Sequence, residues 1–201
     1  KNIYSLEPAT IYEISKYGER KTRYWNLKIN KKIKYNDDET NELISESIKS
    51  NLVADTEVGV CLSSGIDSSI ITHEMLKIKK THCYTFSYKE KEYDEVSEAS
   101  NLFNKNKNFV QKKVNIRYEN MLDELKKAIY YFETPLGGLG TLSAYSLSKK
   151  VNKDEIKVLL SGEGADELFG GYKYIYFYWL KKLFLNKEFN KLNTQIKEYN
   201  L

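Results

Sequence analysis

Ser63-Ser64-Gly65-Ile66-Asp67-Ser68-Ser69 sets small, hydroxyl-bearing residues and one carboxylate between the apolar run Val58-Gly59-Val60-Cys61-Leu62 and an apolar-periodic segment. A buried strand, a tight turn and then a helix make a cradle for phosphate, because N–H groups at a helix N-terminus point outward and the helix dipole adds partial positive charge. Small side chains let a pyrophosphate approach the backbone, and the hydroxyls supply further donors. Asp67 is the odd member. A carboxylate repels polyphosphate unless a divalent cation lies between them, and Mg²⁺ is commonly held by one or two carboxylates plus substrate phosphates. The plainer reading is a Ser/Gly turn in which Asp67 or Ser68 caps the helix. No lysine follows the glycine where a G-x-x-x-x-G-K-[ST] loop requires it.

A second stretch carries the same grammar. Lys157-Val158-Leu159-Leu160 is another short apolar run, and Ser161-Gly162-Glu163-Gly164-Ala165-Asp166-Glu167-Leu168-Phe169-Gly170-Gly171-Tyr172 follows it. Glu163, Asp166 and Glu167 crowd a small-residue turn, where like charges repel when desolvated. A cation or a charged substrate among them would account for the arrangement; a solvated acidic turn with Asp166 as helix cap is the alternative. In a parallel α/β sheet, ligands bind outside the carboxyl ends of the strands, so both turns can face one pocket.

The elements that must position these turns alternate along the chain. Residues 10–14 and 22–27 flank Lys16-Tyr17-Gly18-Glu19-Arg20 and read as a hairpin. A polar, lysine-rich linker covers 30–36, and Asp37 or Asp38 caps a helix to about Leu52 with Leu43, Ile44, Ile48 and Leu52 on one face. Strands are expected at 58–62, 82–88, 109–115 and 157–160, and helices at 67–78, 94–104, 119–132 and 141–150. This alternation predicts an α/β fold, a parallel sheet with right-handed crossovers and helices on both faces, preceded by a short β-hairpin. Residues 173–201 read as helical and aromatic, with core packing for Tyr174, Phe177, Tyr178, Leu180, Leu183 and Phe184. Left uncovered, that apolar stripe invites self-association into a homo-oligomer or an extra partner.

Composition narrows the class. Of 201 residues, 41% are hydrophobic and 30% charged, ordinary values for a globular chain. The net charge of +4, from 32 basic and 28 acidic residues, is too balanced to imply nucleic acid. No run of about 18 apolar residues suits a membrane span, so the cytoplasm is the default location. Cys61 and Cys83 fall on adjacent strands and read as free core thiols. His73 and His82 have no metal-ligand spacing with each other or with the cysteines, which argues against zinc.

S-x-G-x-D-S-S after a strand resembles the pyrophosphate loop of the ATP pyrophosphatases, whose usual form is S-G-G-x-D-S. Ser64 stands where that pattern has its first glycine, and a left-handed backbone there would cost serine about 1–2 kcal/mol. V-G-V-C-L-S-S-G-I-D-S-S together with V-L-L-S-G-E-G-A-D-E-L-F-G-G-Y resembles the synthetase domain of glutamine-dependent asparagine synthetases. Leu6-Glu7-Pro8 and Arg23-Tyr24-Trp25-Asn26-Leu27 are similar to the segment joining that family's glutaminase and synthetase domains. Tyr84-Thr85-Phe86-Ser87-Tyr88 looks like its second strand, Tyr93-Asp94-Glu95 like its Y-D-E, and Glu133-Thr134-Pro135 like the stretch before its fourth helix. The resemblance divides the chain into 1–36, hairpin and linker of the glutaminase junction, and 37–201, a partial ATP-dependent synthetase domain.

The resemblance implies a mechanism and a set of roles. Aspartate attacks the α-phosphate of ATP with Mg²⁺, giving an acyl-adenylate and pyrophosphate, and ammonia from glutamine then displaces AMP. Ser63, Ser64, Gly65, Ser68 and Ser69 would hold pyrophosphate, and Asp67 and Asp166 would bind Mg²⁺. Leu62 and Tyr88 match positions whose backbone receives adenine, Ser161 and Gly162 lie near the α-phosphate, and Glu163 is the candidate to take a proton from the attacking amine. The chain starts at Lys1, no cysteine stands where the glutaminase nucleophile would, and about thirty residues follow Tyr172. A truncated fragment is therefore expected, binding nucleotide with little activity alone, its partner a glutaminase domain in the full-length protein. Related amidotransferases (a β-lactam synthetase, a peptide macrocyclase, a sugar-modifying enzyme) share both loops, and a non-catalytic remnant acting as a partner domain is the third reading.

Overall fold

The computed structural model describes residues 3–28, 33–90, 92, 94–116 and 120–198. It separates into two compact units, 1–42 and 43–201. In the first, β1 (Thr10–Ser15) and β2 (Gly18–Arg23) pair antiparallel, with Thr10 opposite Arg23 and Ser15 opposite Gly18. The two-residue connection Lys16-Tyr17 leads into Gly18 at φ +133, a backbone region that glycine enters without steric cost. Helix α1 (Asp37–Asn51) begins here and runs into the second unit. Its cap is Asn36, whose Oδ1 accepts the Glu39 N–H at 3.0 Å, so neither Asp37 nor Asp38 caps it. Both aspartates instead fall in the first turn, where the helix dipole favours negative charge.

The second unit is built on a four-stranded sheet: β3 (Val58–Cys61), β4 (Thr81–Ser87), β5 (Phe109–Asn115) and β6 (Val158–Leu160), in spatial order β5-β4-β3-β6. All three pairings are parallel, with Val60 beside Cys83 and Leu160. The chain steps outward from β3 to β4 to β5 and then returns to the far side of β3 for β6. Connections leaving β3 and β6 therefore diverge, which opens a crevice at the carboxyl ends of those two strands. Gly59 makes their close approach feasible, since a Cβ there would lie 2.9 Å from Leu159 Cδ2 and 3.1 Å from the His82 carbonyl.

Helices cover both faces, as strand alternation dictates. On one face Val58, Val60 and Cys83 pack with Ile48 of α1, Met75 of α2 (Ile66–Ile78) and Ala99 of α3 (Val96–Phe103). On the other, Tyr84 and Val114 pack with Val151 of α5 (Leu139–Lys153) and with Ile156. Helix α4 (Met121–Phe132) joins α5 through Ala128, Leu142 and Tyr145. Leu43, expected in the core, is 59% exposed, while Ile44, Ile48 and Leu52 pack as the periodicity predicts. Helix α5 starts at 139 rather than 141, and the expected start of α4 at 119 lies outside the described residues.

The C-terminal stretch departs from the sequence expectation. It forms two helices, α7 (Lys173–Leu185) and α8 (Phe189–Glu198), after a one-turn α6 (Ala165–Phe169). Lys187 at φ +60 breaks the run between them. Of the six apolar residues assigned to a core stripe, only Leu180 and Leu183 are buried; Tyr174, Phe177, Tyr178 and Phe184 are exposed. Their mixed spacing puts apolar groups all round α7, and α8 covers only part of that circumference. Both cysteines are free thiols, as expected. Among the described residues no helix is long and apolar enough to cross a membrane.

A polar knot ties β4 and β5 to the end of α5. Asp154 accepts from Lys150 Nζ at 2.5 Å and from the Tyr84 hydroxyl at 3.1 Å, and Lys112 Nζ lies 3.6 Å away. Burial works against the Asp154 charge, but these donors outweigh it and hold the carboxyl below its usual range. Its contribution to stability is thus present above the unfolded value of about 3.9 and disappears as pH falls through the native one. Urea unfolding should show Asp154→Asn less stable than the parent by about 1–3 kcal/mol at pH 7, with the gap narrowing as pH falls below about 3.9. A gap that does not narrow on acidification would mean that the ion pair contributes nothing there.

Candidate functional site

The strand order turns two distant sequence motifs into neighbours. The turn after β3 and the turn after β6 leave adjacent parallel strands at the same edge. Contact between them is direct: a Cβ added to Gly162 would lie 2.9 Å from Asp67 Cβ and 3.3 Å from the Ser68 nitrogen. Only glycine lets the second turn settle against the start of α2.

A cleft of about 710 Å³ opens above this contact. Its lining includes Leu62, Ser63, Gly65, Asp67, Ser68, Tyr88, Ser161, Gly162, Glu163 and Asp166. Ten of the twelve residues singled out in the sequence therefore share one cavity. Ser64 and Ser69 do not line it: Ser64 sits on the exposed shoulder of the turn, and the Ser69 hydroxyl is buried with no hydrogen-bond partner among the described residues.

The capping alternatives fall away at both turns. Gly65 is the residue preceding α2, with φ −68 and ψ 153, and no side chain caps that helix. Gly164 precedes α6 at φ +92, again without a side-chain cap. Asp67, Glu163 and Asp166 are thus not consumed as caps. Ser64 is not among the non-glycine residues with positive φ, so serine there carries no left-handed strain.

Hydroxyls organise the first turn. Ser68 Oγ accepts the Ser63 N–H at 3.0 Å and lies 2.9 Å from Ser63 Oγ, while Ser63 Oγ accepts the Gly65 N–H at 3.2 Å. The Ser64 N–H donates to Glu95 Oε2 at 2.9 Å. The second turn has its own tie, from the Tyr172 hydroxyl to Glu167 Oε1 at 2.7 Å, a bond that favours the protonated phenol and pushes it up to about 12. Asp166 is pinned by a missing side chain, since a Cβ on Gly171 would fall 1.7 Å from Asp166 Oδ1.

Sequence reasoning missed Cys61, Phe86, Glu95, Glu167 and Tyr172 as lining residues. Phe86 was legible, because it shares the alternation that carries Tyr88 toward the same end of β4. Cys61 immediately precedes Leu62, and its thiol is pushed up by burial and then by the nearby charges of Glu163 and Glu95. Asp94 and Glu95 belong to the Y-D-E stretch, whose spacing alone assigns them no role; its Tyr93 lies outside the described residues. In the structure Asp94 Oδ1 accepts the Tyr88 N–H at 3.1 Å.

The donor set suits one kind of metal. Among the described residues no group of three or more His, Cys, Asp or Glu side chains is gathered to hold an ion unaided. Five carboxylates line the cleft, and Asp67 and Asp166 come one from each turn. An all-oxygen donor set of this kind fits Mg²⁺ shared with substrate phosphates rather than a softer metal.

A parallel α/β domain with a switch-point cleft between two small-residue turns is the class that fold and site define. The chain belongs to the asparagine synthase family: the family model described as asparagine synthase matches residues 39–200. It is similar to a putative glutamine-hydrolyzing asparagine synthetase 2 of Methanocaldococcus jannaschii, 30% identical over 86% of this chain and 34% of that protein. Asparagine synthetase 3 of Bacillus subtilis, also glutamine-hydrolyzing, is 30% identical over 99% of this chain and 37% of its own length. An amidase of Penicillium rubens, chyE, is 26% identical over 86% of this chain and 29% of that protein. The chain spans about a third of the length of these relatives.

Proposed function

We propose that residues 43–201 form the nucleotide-handling part of an ATP-dependent, amide-forming ligase of asparagine synthase type. The observation that carries this reading is the seating of Gly162 on Asp67 and Ser68, which puts both acid-bearing turns at one cleft. Ser63, Gly65 and Ser68 hold the pyrophosphate end through the serine hydroxyls and through amides whose bonds to those hydroxyls yield to it. Asp67 and Asp166 hold Mg²⁺, which when bound neutralises the departing pyrophosphate. Ser161 and Gly162 flank the α-phosphate, where an aspartate carboxylate attacks. Glu163 accepts a proton from the amine that displaces AMP. Phe86, Tyr88 and Tyr172 wall the cleft with rings that limit water's access to the acyl-adenylate. The ammonia comes from a glutaminase domain of the full-length protein, and the cytoplasm supplies the ATP. The likeness to an amidase supports a second reading, the same nucleotide core serving an amide other than asparagine.

The base pocket gives this reading a sharp test. The Leu62 N–H donates to the Tyr84 carbonyl at 2.8 Å and the Tyr88 N–H to Asp94, so these two positions offer a base only their carbonyl oxygens. Carbonyls accept from the exocyclic amine of adenine, whereas guanine presents its O6 acceptor to them. Leaving such acceptors unpaired costs about 1–3 kcal/mol. In competition titrations with Mg²⁺ present, GTP should displace ATP at least about tenfold less effectively than ATP itself. Equal competition by GTP would remove Leu62 and Tyr88 from the base site.

A further inference from the structure

Every amide of the turn 63–65 already has an acceptor within the chain, and the three acceptors are of two kinds. Ser63 N–H and Gly65 N–H donate to hydroxyls, of Ser68 and Ser63 respectively, which turn on a single bond and can yield. Ser64 N–H donates to a carboxylate, Glu95 Oε2, at 2.9 Å. We propose that Glu95 is an internal anion that occupies the Ser64 amide in the free chain and must be displaced when a polyphosphate enters the turn. The proposal rests on the nucleotide reading above and adds to it a built-in competitor.

Three observations place Glu95 in that role. It lines the same cleft as Asp67, Ser63 and Gly65, so its carboxylate stands in the path of an incoming anion. Its backbone is fixed, because its carbonyl accepts the Ala99 N–H at 2.9 Å at the start of α3, while its side chain is only half-buried. A hydrogen bond to an ionised acceptor is roughly twice as strong as a neutral one, so a phosphate gains this amide only by breaking a charge-assisted bond and moving a like charge aside. Glu95→Gln keeps an acceptor of the same reach without the charge. Glu95→Ala leaves the amide open.

Isothermal titration of inorganic pyrophosphate with Mg²⁺ into the 201-residue chain tests the displacement. Glu95→Gln should bind about five- to tenfold more tightly than the parent, and Glu95→Ala at least as tightly as Glu95→Gln. The Ser64 amide resonance reads the contact itself. It should move upfield in ligand-free Glu95→Ala relative to the parent, and the two should coincide once pyrophosphate saturates both. Unchanged or weaker binding by the variants, with the parent binding pyrophosphate normally, would overturn the role of Glu95 and leave the nucleotide reading intact. Ser64 resonances that stay apart at saturation would show that Glu95 never leaves, with the same consequence. No binding by the parent or by either variant would instead bring down the nucleotide reading, and this proposal with it.

Discussion

Gly162→Ala should weaken Mg-ATP binding by about thirtyfold while leaving the sheet folded, as titration calorimetry and far-ultraviolet circular dichroism would show together. The added methyl would meet Asp67 Cβ at 2.9 Å, the Ser68 nitrogen at 3.3 Å and the Asp67 carbonyl carbon at 3.5 Å. None of these is the free end of a flexible chain, so the two turns must part. Overpacking of this kind costs about 1–3 kcal/mol, and about 2 kcal/mol is a thirtyfold change in affinity. Gly140→Ala is the matched control, since nothing lies within 4 Å of its added Cβ inside α5. That change should leave binding untouched. Equal affinity for the parent and Gly162→Ala would mean that the contact between the turns does not shape the site.

What the sequence made legible follows from what is local. Val58-Gly59-Val60-Cys61-Leu62 and Val158-Leu159-Leu160 are apolar runs followed by small residues, and a parallel strand reads that way whether central and buried, as β3 is, or at the sheet edge and half-buried, as β6 is. The four strands, the helices between them and the hairpin therefore appear near the expected places. The convergence of the turns needed one topological rule, that crevices form at carboxyl ends of parallel strands, and β6 returning beside β3 satisfies it. The cap of α1 was misread by one residue because Asn36, Asp37 and Asp38 are all competent caps, and only backbone geometry chooses among them.

Long-range side-chain pairings stayed hidden. Nothing local in Glu95 says that its carboxylate reaches the Ser64 amide 31 residues away, and nothing in Asp94 says that it takes the Tyr88 N–H. The dependence of Asp166 on Gly171 is likewise a matter of packing between a helix and the loop beyond it. The aromatic stripe of 173–185 failed for the opposite reason: hydrophobic residues on every side of a helix announce burial, but not what buries them. Phe177 at 53% and Tyr178 at 70% exposure have no cover among the described residues.

The larger effect belongs to the paired acids. Asp67 and Asp166 reach the cleft from two turns about a hundred positions apart, with no cap to serve and no salt bridge to either among the described residues. Without a cation, Glu95, Glu163 and Glu167 join them in repelling a polyphosphate. Titration of ATP into the chain with Mg²⁺, with chelator in its place, and into Asp67→Ala/Asp166→Ala measures this directly. The parent should bind with Mg²⁺ and lose at least about a hundredfold in affinity without it, a difference of some 2.7 kcal/mol. The double variant should bind at that weaker level whether or not the metal is present. Affinity for ATP that is the same with Mg²⁺ and with chelator, or a double variant that binds as the parent does, would contradict a single magnesium-bridged nucleotide site.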